Sequence, residues 1–322
     1  MVVVVLGAFT RLVDAGLGCP DWPGCYGHLL WPNDAQEISV AEALFPDTPV
    51  DLDKTWPEMV HRYFAGTLLL LVAGLAYLAW RQPEYVSMRN LVTGLLGLII
   101  VQAAFGAWTV TLKLWPQVVT AHLLGGFATF SLLWLIYQRL GGATSLRLQS
   151  IDQQMLRPHM RIALVVVVVQ IALGGWVSSN YAALACADFP TCYGSYWPPM
   201  DFQHGFDVLQ SVGPNYLGGL LESEGRIAIH WTHRLGALVV LAVVGLLVWR
   251  LWARQRLMAL VLGGLLTVQV LLGVLNVVWS LPLAVATAHN ACGALLLLAL
   301  VTVNFAPAAD VGDRTPAHVD AA

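Results

Sequence analysis

Long apolar runs separated by short polar connections are the first pattern along this chain. They fall at about 59–80, 90–111, 117–138, 161–180, 227–249, 257–279 and 283–305. Each approaches the roughly 20 residues that an α-helix needs to cross a bilayer core. Such runs predict spanning helices, because lipid offers no partner to an unpaired backbone N–H or C=O. A further span is expected ahead of Thr10, where only "MVVVVLGAF" stands. Nine residues rise only ~14 Å as a helix against a core of ~30 Å. That first helix is therefore expected to be short, with the true start of the chain upstream. No basic region precedes the run, so a secretory signal peptide is not predicted.

Composition agrees with the pattern. The 322 residues are 58% hydrophobic and 11% charged, against roughly 25% charged in soluble domains. A soluble domain is excluded, membrane lipid is the expected surroundings, and no nucleic-acid partner is expected. The sparse charges set an orientation. Connections 81–90, 139–161 and 250–256 carry nine arginines and only Glu84 and Asp152 as acids. The opposite connections hold Lys54, Lys113 and Arg226 against fourteen acids. The positive-inside rule puts the first set in the cytoplasm. A multi-pass protein of a bacterial inner membrane is expected, with the other loops outside.

Those outer loops contain "CPDWPGCYG" (19–27) and "CADFPTCYG" (186–194), the same spacing 167 positions apart. In an oxidising compartment, disulfides Cys19–Cys25 and Cys186–Cys192 are the expected state. Free thiols or a metal clip remain open at this point, since short cysteine spacing also suits zinc. Cys292 lies within a span and reads as a small buried residue.

The repeat extends beyond the loops. "LGAFTRLVDAGLGC" (6–19) answers "LGGWVSSNYAALAC" (173–186), and "HRYFAG" (61–66) answers "HRLGAL" (233–238). "QAAFGAWTVTLKLWPQVVTAH" (102–122) answers "QVLLGVLNVVWSLPLAVATAH" (269–289) without a gap. The predicted fold is an all-α membrane protein of about eight helices, arranged as two tandem four-helix bundles. An even helix number per repeat keeps both copies in one orientation, related by a pseudo-twofold axis along the membrane normal. The halves are 1–140 and 161–306, joined by a cytoplasmic linker at 141–160. A tail at 307–322 reads as disordered.

Each half supplies two histidines at matching places, His61 with His122 and His233 with His289. All four are expected near the outer ends of their helices. Paired histidines on facing helices are the arrangement that grips a haem from both faces. Gly126 and Gly293, one turn beyond His122 and His289, would let the flat ring approach the backbone. Arg62 and Arg234 follow the first histidine of each pair, where they could meet haem propionates bidentately. A proton relay or another metal is the competing reading. The halves part where the first reads "EMVHR" (58–62) and the second "HWTHR" (230–234), so that His230 stands in the place of Glu58. Glu58 and His61 share a helix face, so Glu58 is a candidate acid/base beside the haem edge. An ordinary helix N-terminal carboxylate is the alternative. His230 reads as a supporting histidine.

Taken together, "GAFTRLVDAGLGCPDWPGCYG", "EMVHR", the two "TAH" segments and the second cysteine pair resemble the haem A synthase family in its bacterial, cysteine-paired form. The resemblance implies oxidation of the C8 methyl of haem O to a formyl group, through hydroxymethyl and geminal diol stages, with oxygen from water. It implies haem A for terminal oxidases as the product. By the same resemblance His61 and His122 flank the substrate haem in the first half, while His233 and His289 ligate haem B in the second. Glu58 matches the family's essential carboxylate, and Cys19 and Cys25 match a redox-sensitive pair. The electron acceptor, the oligomeric state and a partnership with the enzyme that makes haem O stay open. The runner-up is a di-haem cytochrome b that only carries electrons; it explains four histidines but not why Glu58 and His230 differ.

Overall fold

A computed structural model describes residues 1–142 and 150–305. The proposed tail at 307–322 lies outside the described residues, as does part of the linker at 141–160. The helices are α1 (Val2–Leu12), α2 (Ala35–Leu44), α3 (Leu52–Arg81), α4 (Arg89–Thr111), α5 (Pro116–Arg139), α6 (Ser150–Ser179), α7 (Phe202–Gly205), α8 (Ser223–Trp252), α9 (Arg256–Val278) and α10 (Leu283–Phe305). Seven helices among the described residues are long and apolar enough to cross a membrane, and α1 is a shorter apolar helix. There is no strand among the described residues, only the isolated bridges Cys25–His28 and Cys192–Ser195.

Three helices run past their apolar runs. Helix α3 starts at Leu52 rather than near residue 59, so His61 lies more than two turns inside it instead of at its start. Asp51 caps it, accepting the Asp53 N–H at 3.1 Å, and satisfies one of the donors a helix start leaves free. Helix α8 likewise starts at Ser223. Helix α6 starts at Ser150, inside the stretch read as a linker, and carries His159. Polar first turns give no hydropathy signal, yet the helix continues through them.

Helix α3 packs on α1 and α4, and α4 packs on α5; α8 packs on α6 and α9, and α9 on α10. Contacts of α1 with α10, α5 with α6 and α5 with α10 join the two groups. Three apolar clusters follow this order. Val72, Leu95 and Ile136 tie α3, α4 and α5. Val167, Leu247, Leu262 and Leu300 tie α6, α8, α9 and α10. Phe127, Leu135, Ala294 and Leu297 join α5 to α10. In lipid no hydrophobic force drives helices together, so close packing and interhelical hydrogen bonds must do so. Trp134 Nε1 and Gln138 Nε2 of α5 both donate to Thr302 Oγ1 of α10, at 2.8 and 2.7 Å. At the other end Arg11 of α1 donates to the Tyr181 hydroxyl at 2.8 Å and to the Ser178 carbonyl at 2.6 Å.

Local backbone geometry recurs along the chain. Asp14 and Tyr181, Tyr26 and Tyr193, Lys113 and Ser280, and Leu114 and Leu281 all adopt positive φ. Every pair has the spacing that separates the two cysteine motifs. Helices α3 and α8 have 30 residues each, and α4 and α9 have 23 each.

Candidate functional site

The site is built on the first turns of α3 and on the loop before it. Glu58, His61 and Arg62 stand three and four residues apart, so they line one side of the helix. Glu58 is 5% exposed. Its Oε2 accepts the backbone N–H of Cys19 at 2.9 Å, and its Oε1 accepts Arg62 Nη2 at 2.5 Å. A buried carboxylate is costly unless paired and hydrogen-bonded, and Glu58 is both. Arg62 also reaches the loop: Nη1 donates to the carbonyls of Asp21 at 3.0 Å, Pro23 at 3.3 Å and Gly24 at 2.5 Å. One guanidinium thus ties Glu58 to the cysteine loop.

The loop has its own frame. Cys19 and Cys25 form a disulfide, and Asp21 accepts the N–H groups of Tyr26 at 2.6 Å and Gly27 at 2.8 Å. The Tyr26 ring is buried edge-on against Phe45, and its hydroxyl donates to the Pro49 carbonyl at 3.1 Å. Burial, with Asp51 and Glu42 nearby, pushes its phenol up to about 12.

The second loop is built the same way. Cys186 and Cys192 form a disulfide. Asp188 accepts the Thr191 hydroxyl at 2.5 Å and the N–H groups of Tyr193 at 2.6 Å and Gly194 at 2.9 Å. The Thr191 hydroxyl and the Gly194 N–H hold this carboxyl down to about 2. Arg234 Nη1 donates to the Thr191 carbonyl at 2.8 Å, and Nη2 to the carbonyls of Cys186 at 2.8 Å and Asp188 at 2.9 Å. Both arginines expected at propionates therefore hold loop carbonyls here. His230, 5% exposed, brings Nδ1 to the Ala182 carbonyl at 2.9 Å. The second half has a supporting histidine where the first has a carboxylate.

The four histidines are half-buried. His61 lies within electrostatic reach of His122, and His233 within reach of His289. Each ring abuts a glycine on a neighbouring helix. A Cβ at Gly7 would lie 3.0 Å from His61 Cε1, and one at Gly106 3.4 Å from His122 Cε1. A Cβ at Gly174 or Gly273 would lie 3.2 Å from Cε1 of His233 or His289. Sequence reasoning missed these four glycines, although their identity in both repeats could have found them. It named Gly126 and Gly293 instead. A Cβ at Gly126 would touch nothing within 4 Å, while one at Gly293 would lie 3.4 Å from Gln269 Nε2. Gln269 Nε2 also stands 3.3 Å from His289 Nε2, and Gln170 Nε2 3.1 Å from His233 Nδ1.

The donor set fits haem. Two axial imidazoles suffice to hold a haem iron, whereas a structural zinc takes four ligands. Among the described residues no three His, Cys, Asp or Glu side chains converge on a common point, and both cysteine pairs are disulfides. His122 keeps a buried Nδ1 without a hydrogen-bond partner. Buried polar atoms are seldom left so.

Comparison with known proteins agrees with this chemistry. Residues 1–301 match the model of a family described as cytochrome oxidase assembly protein, COX15-CtaA. The chain is similar to a haem A synthase from Shewanella oneidensis, 46% identical over 309 residues, covering 95% of this chain and 92% of the relative. A haem A synthase from Beijerinckia indica is 28% identical over 328 residues, covering 92% and 86%. One from Halalkalibacterium halodurans is 24% identical over 262 residues, covering 78% and 72%.

Proposed function

The chain belongs to the COX15-CtaA family of cytochrome oxidase assembly proteins, and on that premise we propose that it is a haem A synthase. It oxidises the C8 methyl of haem O to a formyl group. The net change takes one water and releases four electrons and four protons, and hydroxymethyl and geminal diol stages divide it into two rounds. The observation that carries this reading is Glu58, a buried carboxylate three residues from His61, held by the Cys19 amide and Arg62. A cytochrome that only moves electrons has no use for it, and relatives named haem A synthase disfavour that reading.

The architecture supports a division of labour. The spacing shared by the positive-φ residues and both cysteine loops favours two four-helix halves about a pseudo-twofold axis along the membrane normal. The substrate haem O belongs to the first half (1–140), between His61 and His122. Haem B would be held in the second half (161–306) by His233 and His289. When bound, haem B supplies a one-electron carrier beside the substrate. Glu58 takes a proton from the attacking water or stabilises positive charge as the methyl is oxidised. Arg62 sets which carboxylate oxygen faces the substrate by holding Oε1. Arg62 and Arg234 reach the propionates if they exchange a loop carbonyl for a carboxylate. The cysteine loops lie on the outer face of a bacterial inner membrane and cap the two sites. The enzyme making haem O and a membrane electron acceptor are the expected partners.

The test is haem extraction and chromatography from cells that make haem O, with and without this protein. Haem A should appear only with it, and the purified protein should carry haem B with traces of haem O or A. Haem B alone, at two per chain and without haem A output, would favour the cytochrome.

A further inference from the structure

The halves differ a second time, at the histidine that α3 and α8 each contribute. Gly7 of α1 and Gly174 of α6 abut His61 and His233 in the same manner. One turn earlier on each helix, on the same face, stand Val3 and Gln170. Gln170 turns its side-chain amide onto His233: Nε2 lies 3.1 Å from Nδ1 and donates to the His233 carbonyl at 2.9 Å. Val3 has no side-chain polar group to offer, and only its backbone carbonyl faces the His61 ring.

A second substitution accompanies the first. A Cβ at Gly236 would lie 2.1 Å from Gln170 Oε1, so the amide in this position uses the space that glycine leaves on α8. The matching residue of α3 is Phe64. Gln170 and Gly236 in the second half thus stand where the first has Val3 and Phe64.

We propose that Gln170, seated on Gly236, is a positioning residue that fixes His233 as a permanent axial ligand, and that its absence leaves His61 able to exchange its haem. The proposal rests on the assignment of haem B to the second half. A neutral histidine that binds iron through Nε2 carries its proton on Nδ1. Its other ring nitrogen ordinarily donates to an oxygen, which fixes the ring and raises its basicity. The O and N of an amide are assigned from their hydrogen bonds. With iron on Nε2 the Gln170 amide turns over, so that Oε1 accepts from Nδ1 and the bond to the His233 carbonyl is given up. In a half that must release its product such a hold would slow turnover, so an apolar residue at Val3 suits the exchanging site.

The test compares purified full-length variants by haem B per polypeptide, reductive midpoint potential and the low-spin electron paramagnetic resonance signal. His233→Ala is the control for the assignment of halves. If it keeps haem B, that assignment fails and the proposal falls with it, whatever Gln170 does. If it loses haem B, Gln170→Leu should weaken haem B retention about 10–100-fold, the usual scale for an outer hydrogen bond to a metal ligand. The haem that remains should show a higher potential and a shifted signal, because a less basic imidazole stabilises ferric iron less. Gln170→Glu, which restores an oxygen of the same reach, should recover retention and lower the potential. The double variant Val3→Gln with Phe64→Gly should retain more haem in the first half, seen as a higher haem-to-protein ratio. Unchanged retention, potential and signal in Gln170→Leu, with His233→Ala stripped, would overturn the proposal while leaving the assignment of halves intact.

Discussion

Glu58 accepts the backbone N–H of Cys19 at 2.9 Å, so the buried carboxylate and the first disulfide belong to one hydrogen-bonded unit. Arg62 closes it from the other side, donating to Glu58 and to three carbonyls of the loop. Any movement of the loop therefore moves the carboxylate.

Glu58→Gln keeps the size and can still accept from Cys19, yet removes the negative charge. An interaction made mainly in the transition state is lost from rate rather than from binding. Haem A output should fall ~10²–10⁴-fold, the scale for a displaced acid/base group, while haem B content stays normal. Extracted haems from cells making haem O measure both, and unchanged haem A would remove Glu58 from the mechanism.

Arg62→Lys replaces a planar fork by a single ammonium, which cannot serve Glu58 and three carbonyls together. The first loop should loosen, and Cys19–Cys25 should be reduced faster by a thiol, while Cys186–Cys192 under Arg234 keeps its rate. Mass spectrometry of alkylated peptides after timed reduction follows the two bonds separately. Equal acceleration of both would show that Arg62 is not the local clamp.

The glycines beside the histidines should tolerate no side chain. A methyl at Gly174 or Gly273 must displace a ring already 3.2 Å away, at an overpacking cost of about 1–3 kcal/mol. Gly174→Ala and Gly273→Ala should lower haem B in the purified protein. Gly7→Ala should instead lower haem A output and leave haem B in place. Absorbance spectra and haem extraction distinguish these outcomes.

Asp188 makes the second loop acid-sensitive. Its carboxyl is held down to about 2 by the Thr191 hydroxyl and the Gly194 N–H, against ~3.9 in an unfolded chain. A lowered value means that its contribution is complete above ~4 and is lost as pH falls through about 2. Amide protection of Tyr193 and Gly194 in hydrogen exchange should fall across that window. In Asp188→Asn protection should already be low at pH 5 and should not fall further; an unchanged acid profile would exclude Asp188 as its source.

What the sequence by itself determined is what hydropathy and repetition can encode. All seven long apolar runs became helices, because a backbone in lipid must satisfy its own hydrogen bonds. The cysteine spacing foretold two like loops, which the structure closes with disulfides. The change from Glu58 to His230 was legible as a break in an otherwise matched pattern. The polar starts of α3, α6 and α8 were not legible, since a polar first turn leaves no mark in hydropathy. Residue types could suggest propionates for Arg62 and Arg234, but only the folded chain brought six loop carbonyls to the two guanidiniums. The glycine facing each histidine, and Gln170 against His233, depend on helix rotation and depth. Close packing between particular side chains decides these in lipid, and hydropathy carries no record of it.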